Sequence, residues 1–388
     1  MENFIYNTKT KIIFGKDQLA TLKSELPLHK VKRILLVYGK SSIKKLGIYE
    51  EIHKICSELG IEVFEEGGVR PNPDVSSVRS GIETCKKEKI DFVLAAGGGS
   101  VIDTAKAIAF GVFYDGDVWD IYLRKADSEQ SLPIGVVITL AATGSETNGN
   151  SVISNDETGQ KLSVKYSISR PEFAIIDPSY TLSVNEHHTF AGSIDMMMHI
   201  FEQYFSPTQR TDTSDYMSLG VVKSIIENTR RIISGHDGYD VRANLSWAST
   251  LAWNWILGVD KVQDWATHRL SYPVTKEYGV THAYALAILF PSWLKVALKY
   301  NPEVMVPKLS LLGRELFGNS NPHGAIEELK SLFESFHANT SFESEGIHLK
   351  EKDIDFLVKE TLVLGPVGQV IKVDEAIAKE IYTEALNA

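Results

Sequence analysis

At 388 residues the chain is too long for a single compact core and should divide into about two or three domains. Hydrophobic residues make up 43% and charged residues 23%, as in soluble globular proteins, and a formal net charge of -10 offers no basic face for nucleic acid. No run approaches the ~20 apolar residues of a membrane span. The opening MENFIYNTKTKIIFG lacks a signal-peptide core, and two cysteines, Cys56 and Cys85, are too few for a secreted disulfide framework, so a cytoplasmic setting is expected.

Along the first 180 residues, short β-branched runs alternate with helical patterns. Phe4–Phe14 implies an edge strand that could pair across a dimer. Arg33–Gly39 reads as a buried strand, Ile43–Leu59 as a helix and Ile61–Phe64 as a second strand. Val75–Lys87 is helical, Phe92–Ala96 a strand and Ser100–Gly111 a helix; Ile134–Ile138 and Phe173–Pro178 are further strands, the last stopped by its proline. Continuous apolar strands separated by helices predict a parallel sheet covered on both faces. From Thr189 onward the period is near 3.6 residues, with helices expected over Thr189–Tyr204, Ser214–Ile233, Val241–Val259 and His282–Tyr300. The predicted division is a Rossmann-like α/β dinucleotide-binding domain over 1–184 and an all-α metal-binding domain over 185–388.

The strand Phe92–Ala96 runs through Gly97, Gly98, Gly99 and Ser100 into the helix carrying Asp103. Glycines let the backbone approach a ligand, and a helix N-terminus aims free N–H groups at an anion, so this turn is a candidate pyrophosphate site. The four residues alone could be a plain tight turn, but their place between a strand and a helix favours the ligand site. A second polar loop, from Thr139 and Leu140 through Thr143 to Ser145 and Thr147, follows the next strand; it reads as a ligand loop and as a helix cap started by Ser145 or Thr147, and the two are compatible. The first strand ends Tyr38-Gly39-Lys40-Ser41-Ser42 with no acid to repel a 2′-phosphate. Lys40 and the two serines can donate to one, which favours NADP(H) over NAD(H).

In the second half, GSIDMMMHIFE sets Asp195 and His199 four residues apart, on one face of a helix among apolar neighbours. Such a pair alone can be a buried hydrogen bond or a solvated face. His268 and His282 follow, 14 residues apart across a segment containing Pro273 and Gly279 that cannot be one helix, and chain reversal there can bring the two imidazoles together. One Asp and three His suit a divalent first-row metal.

With these residues in view, the chain resembles the iron-containing (group III) alcohol dehydrogenases, most closely their butanol dehydrogenase-like branch. The resemblance is carried by Thr10–Gly15, Pro71-Asn72-Pro73, Gly97–Asp103, Thr143–Glu146, Asp177-Pro178, Asp195-x-x-x-His199, His268 and His282, in order along essentially the whole chain. It implies Asp195, His199, His268 and His282 as ligands of Fe2+ or Zn2+. It also implies cofactor contacts from Gly39, Asn72, Gly98, Gly99, Ser100, Asp103, Thr139, Ser145 and Lys161, and Gly39 stands where an Asp accompanies NAD. Relatives usually carry a second His four residues past the third ligand; here that residue is Tyr272, a candidate catalytic hydroxyl but a poor base at neutral pH, with an ordinary pKa near ~10. The expected activity is hydride transfer between NADP(H) and a small primary alcohol or aldehyde, in a homodimer. The glycerol and glycerol-phosphate dehydrogenases, dehydroquinate synthase and a catalytically impaired relative are the alternatives of the same architecture.

Overall fold

The computed structural model describes residues 1–387. Six strands form one parallel sheet: β1 (Lys11–Phe14), β2 (Arg33–Tyr38), β3 (Glu62–Glu66), β4 (Phe92–Gly97), β5 (Ile134–Ile138) and β8 (Phe173–Ile176), in the order β1-β8-β5-β4-β2-β3. A separate antiparallel hairpin joins β6 (Asn150–Asn155) to β7 (Gln160–Lys165). The central strands are the continuous apolar runs: Ile34–Val37 and Phe92–Ala96 are fully buried, as strands covered on both faces must be. The edge strands are partly exposed, and β3 points Glu62 and Glu65 outward, charges that discourage further pairing.

The sheet's helices are α1 (Leu22–Leu28), α2 (Ser42–Lys45), α3 (Ile48–Glu58), α4 (Val75–Glu88), α5 (Gly99–Gly111) and α6 (Val118–Tyr122). The single helix expected over Ile43–Leu59 is two, because Gly47 at φ 71° ends one and starts the other. The long helices of the second half are α7 (Glu186–Tyr204), α8 (Asp212–Ile233), α9 (Tyr239–Ala252), α10 (Ala266–Tyr278) and α11 (His282–Tyr300). They are followed by α12 (Pro302–Phe317), α13 (Pro322–Ser335), α14 (Glu351–Thr361) and α15 (Glu375–Glu384). The helix expected over Val241–Val259 stops at Ala252, and a short 3-10 turn over Ile256–Gly258 follows. Pro273 lies inside α10, and the chain turns instead at Gly279, φ 68°.

By packing, one compact unit comprises Asn7–Val184 with His236–Thr250, and the other Met1–Tyr6, Asn185–Gly235 and Leu251–Ala388. Two segments thus pack away from their neighbours in sequence. In the sheet unit, Thr250 Oγ1 donates to Glu146 Oε1 at 2.7 Å, and the Arg242 guanidinium donates to Val184 O at 3.3 Å. In the helical unit, the Met1 ammonium donates to Gln209 O at 3.0 Å and Glu2 N–H to Asp260 O at 2.9 Å. None of the helices among the described residues is long and apolar enough to cross a membrane.

The hairpin is fastened to α5 by polar groups. Asp103 accepts from Val152 N–H at 3.0 Å, and Ser151 Oγ donates to the Asp103 carbonyl at 2.7 Å. Lys106, fully buried, donates to Ser145 O (2.6 Å), Ser145 Oγ (2.7 Å), Asn150 O (2.9 Å) and Asn148 Oδ1 (3.2 Å). Burial pushes its ammonium down to about 8, partly countered by Asp103 and Glu146. Replacing Lys106 with Met leaves these acceptors unanswered and should cost about 3 kcal/mol at pH 7. The unfolded chain holds the Lys106 proton up to about pH 10.4, so between pH 8 and 10 it binds more protons here than the native state. This lysine therefore contributes more stability as pH rises through that window. The urea midpoints of wild type and K106M should diverge from pH 7 to pH 10; parallel profiles would mean that Lys106 titrates at its ordinary pKa.

Candidate cofactor and metal sites

Strand order reverses between β2 and β4: the chain goes outward from β2 to β3, then returns to β4 and moves on through β5 to β8. The carboxyl ends of strands at such a reversal form the crevice where open α/β sheets take ligands. Gly39, Lys40 and Ser41 follow β2, Gly97 ends β4 and Gly98–Ser100 follow it, and Thr139–Ser145 follow β5, so three adjacent strand ends carry most of the predicted cofactor residues. Lys40 and Ser41 are exposed.

Gly98 is the N-cap of α5 and no side chain caps that helix end. A Cβ on Gly99 would stand 2.6 Å from Thr143 Oγ1, so the absence of a side chain lets the β5 loop lie against the first turn of α5. Thr139 N–H donates to Gly97 O at 3.1 Å, and Leu140 packs over Gly98, where a Cβ would meet it at 3.3 Å. Asp103 and Ser145 face each other: Ser145 Oγ donates to Asp103 Oδ1 at 2.7 Å while accepting from Lys106. Burial raises the Asp103 carboxyl above its ordinary range. Both side chains thereby shape the loop from beneath. Asn72, at φ 52°, accepts from Lys161 Nζ at 2.9 Å, pairing the β3–α4 connection with the hairpin.

In the helical unit, Asp195 and His199 lie on α7, His268 in the first turn of α10, and His282 opens α11. Asp195, His268 and His282 each place a donor atom within 4.8 Å of the others. Asp195 Oδ1 stands 3.8 Å from His282 Nε2. His199 is outside that set of three yet adjoins it: its buried Nδ1 is 3.9 Å from Asp195 Oδ2, beyond hydrogen-bonding distance, and its ring centroid is 4.8 Å from that of His268. Burial and the neighbouring His268 hold His199 well below its ordinary pKa, so it is a neutral imidazole with a lone pair to offer. A carboxylate and two imidazoles whose donor atoms converge within 4.8 Å fit a cation between them.

Several residues around this cluster lie outside the expected ligand set. Glu202, one turn beyond His199 on α7, is buried, and its Oε1 accepts from His268 N–H at 2.9 Å and lies 2.9 Å from His268 Nδ1. Burial pushes its carboxyl up to about 8, against the pull of backbone N–H groups at His268, Trp265 and Thr267. Asp264 accepts from Ala266 N–H at 3.0 Å and from Gln369 and Val370 N–H at 2.6 and 2.7 Å, anchoring the start of α10 to the C-terminal segment. Ser271 Oγ, which donates to His268 O at 2.8 Å, is 3.4 Å from His282 Nδ1. Trp253 stacks on His199 with ring centroids 4.3 Å apart, and Trp265 lies 5.0 Å from Trp253 and 5.2 Å from His268. A buried Glu on an apolar helix was the one cue that could have singled out Glu202. Tyr272 is buried one turn past His268, its ring 6.0 Å from that of His282 with the Arg269 guanidinium 5.7 Å away. Met196, Met197 and Met198 are core.

Comparison with known proteins bears on both units. Residues 9–178 match the family model of iron-containing alcohol dehydrogenase, and residues 189–386 that of the C-terminal region of the Fe-containing alcohol dehydrogenase family. The chain is 45% identical to the probable NADH-dependent butanol dehydrogenase 2 of Bacillus subtilis over 301 residues, 78% of this chain and 77% of that one. It is 36% identical to the NADPH-dependent aldehyde reductase YqhD of Escherichia coli over 296 residues, 75% of each. The crystal structure of the NADH-dependent butanol dehydrogenase A of Thermotoga maritima superposes with a TM-score of 0.94 at 34% identity, covering 100% of this chain and 99% of that one. With a parallel six-stranded sheet, a helical second half and family matches across both, the chain belongs to the iron-containing alcohol dehydrogenase family.

Proposed function

We propose that this protein reduces small apolar aldehydes to primary alcohols, and runs the reverse reaction, with NADP(H) preferred over NAD(H) and one Fe2+ or Zn2+ held by Asp195, His199, His268 and His282. The oxidoreductase class, acting on CH–OH groups, follows from the family and from relatives named as alcohol dehydrogenases and aldehyde reductases. The observation that carries the metal reading is the convergence of Asp195, His268 and His282 donor atoms within 4.8 Å. When bound, the metal supplies electrophilic polarisation of a carbonyl oxygen and the nicotinamide supplies the hydride.

The chain's own groups do the rest. Asp195 offsets part of the cation's charge, and the neutral His199 adds a donor without adding charge. Trp253 and Trp265 wall the His199–His268 side with aromatic surface, which limits water there and suits an alkyl chain over a charged substrate. Tyr272 Oη is a hydrogen-bond donor one turn from His268, fitted to hold the substrate oxygen or a ribose hydroxyl and not to act as a base. At the cofactor end, Gly39 leaves space and Lys40 and Ser41 are exposed donors for a 2′-phosphate. The relatives divide on this point, NADH in the Bacillus name and NADPH in the Escherichia name, so the preference rests on these three residues. A homodimer is proposed from the partly exposed edge strand β1, with Phe14 39% exposed, and a reducing cytoplasmic setting from the free, buried Cys56 and Cys85.

The decisive assay is NADPH oxidation with butanal by chelated protein and by protein restored with Fe2+ or Zn2+. Activity should return with metal and be absent from His268→Ala; tight NADPH binding without turnover under either metal would sink the reading. Lys40→Ala should raise the KM for NADPH about tenfold, the loss of roughly 1.4 kcal/mol, and leave the KM for NADH unchanged; an equal effect on both cofactors would remove Lys40 from the 2′-phosphate. Tyr272→Phe should lower kcat for butanal by about five- to tenfold, the scale of one hydrogen bond, with NADPH binding intact. An unchanged kcat would leave Tyr272 a packing residue.

A further inference from the structure

Glu202 is set where it controls how His268 is presented. It lies on α7, seven residues past Asp195, and is buried together with His268. One oxygen, Oε1, accepts the His268 backbone N–H at 2.9 Å and also lies 2.9 Å from His268 Nδ1. Because Oε1 already stands as the acceptor of the His268 N–H, the ring meets it best with the proton on Nδ1, which leaves Nε2 with its lone pair. Trp265, the N-cap of α10, sits at φ 64°, a left-handed conformation that bulky residues rarely adopt. Beyond the turn it makes, the His268 N–H donates to Glu202 Oε1 at 2.9 Å. The same carboxyl thus satisfies the open end of α10 and orients the side chain that α10 carries.

We propose that Glu202 is the positioning residue of the metal centre: it selects the Nδ1–H tautomer of His268 and holds its Nε2 toward Asp195 and His282. The proposal rests on the metal reading above. It makes α7 the source of two ligand side chains and of the clamp on a third, so that ring orientation at His268 is set by the helix that bears Asp195 and His199. Outer groups that orient a ligating imidazole typically contribute about 10- to 100-fold in metal affinity.

The test uses metal-free protein titrated with Zn2+ in competition with a chromophoric chelator, for wild type, His268→Ala, Glu202→Met and Glu202→Gln. Methionine keeps the volume and removes the acceptor; glutamine keeps an acceptor oxygen. Glu202→Met should bind Zn2+ about 10- to 100-fold more weakly than wild type, Glu202→Gln should recover most of that loss, and the visible bands of the Co2+ form should change in the Met variant. Nitrogen-15 spectra of metal-free wild type should place the His268 proton on Nδ1. Zn2+ affinity and Co2+ bands in Glu202→Met equal to wild type, or a wild-type His268 proton on Nε2, would overturn the proposal. The nitrogen spectrum decides the matter even if the Met variant does not fold. Wild type and His268→Ala binding Zn2+ alike would instead remove the metal reading itself, an outcome distinct from either.

Discussion

A helix buried along most of its length cannot carry polar side chains without answering them, and α7 carries several. From Thr189 to Tyr204 every residue is buried, yet the helix presents Asp195, His199, Glu202 and Gln203. Leaving such groups without partners in a low-dielectric interior costs several kcal/mol each. The surrounding architecture answers them one by one. Gln203 donates to the carbonyls of His199 and Ala252 at 2.7 Å, Glu202 takes the end of α10, and Asp195 and His199 face His268 and His282. The placement of α10 and α11 around α7 is thus tied to polar demands as much as to the packing of Ile194, Ile200 and Phe201.

The sheet unit meets the same constraint with one cation. Lys106 gathers four acceptors from the loop and hairpin that follow β5, while Asp103, three residues earlier on the same helix, takes Ser145 and the hairpin backbone. Side-chain chemistry is thus directed inward from α5, beneath the Gly97–Ser100 turn. Buried polar networks of this kind give a loop one conformation where apolar packing would leave a choice.

What could be read from the chain followed from what each residue reveals by itself. β2, β4 and β5 are legible because doubly covered strands must be uniformly apolar. The break at Gly47 was less visible, since the apolar stripe continues across α2 and α3 and only a left-handed φ separates them. The β6–β7 hairpin escaped the pattern because Asn150–Asn155 and Gln160–Lys165 are largely polar; they pair through backbone and through Asp103. Candidate metal donors were legible because imidazoles and a carboxylate among apolar residues are conspicuous. Glu202 was not, because a glutamate declares nothing about burial or about which N–H groups will reach it. The early stop of α9 and the left-handed Trp255 and Trp265 likewise arise from tertiary packing, which overrides the helical period of Val241–Val259.

The exchange of segments between the two units has a consequence for how the chain can be made and cut. The sheet unit is not complete at Val184: it includes His236–Thr250, whose last residue supplies the hydroxyl that Glu146 accepts. The helical unit in turn includes Met1–Tyr6. During synthesis, the first 184 residues can emerge and collapse, but Glu146 receives its donor only after some 66 further residues have left the ribosome. A gene divided at the apparent linker would give two fragments, each lacking a strand of chain that the other holds.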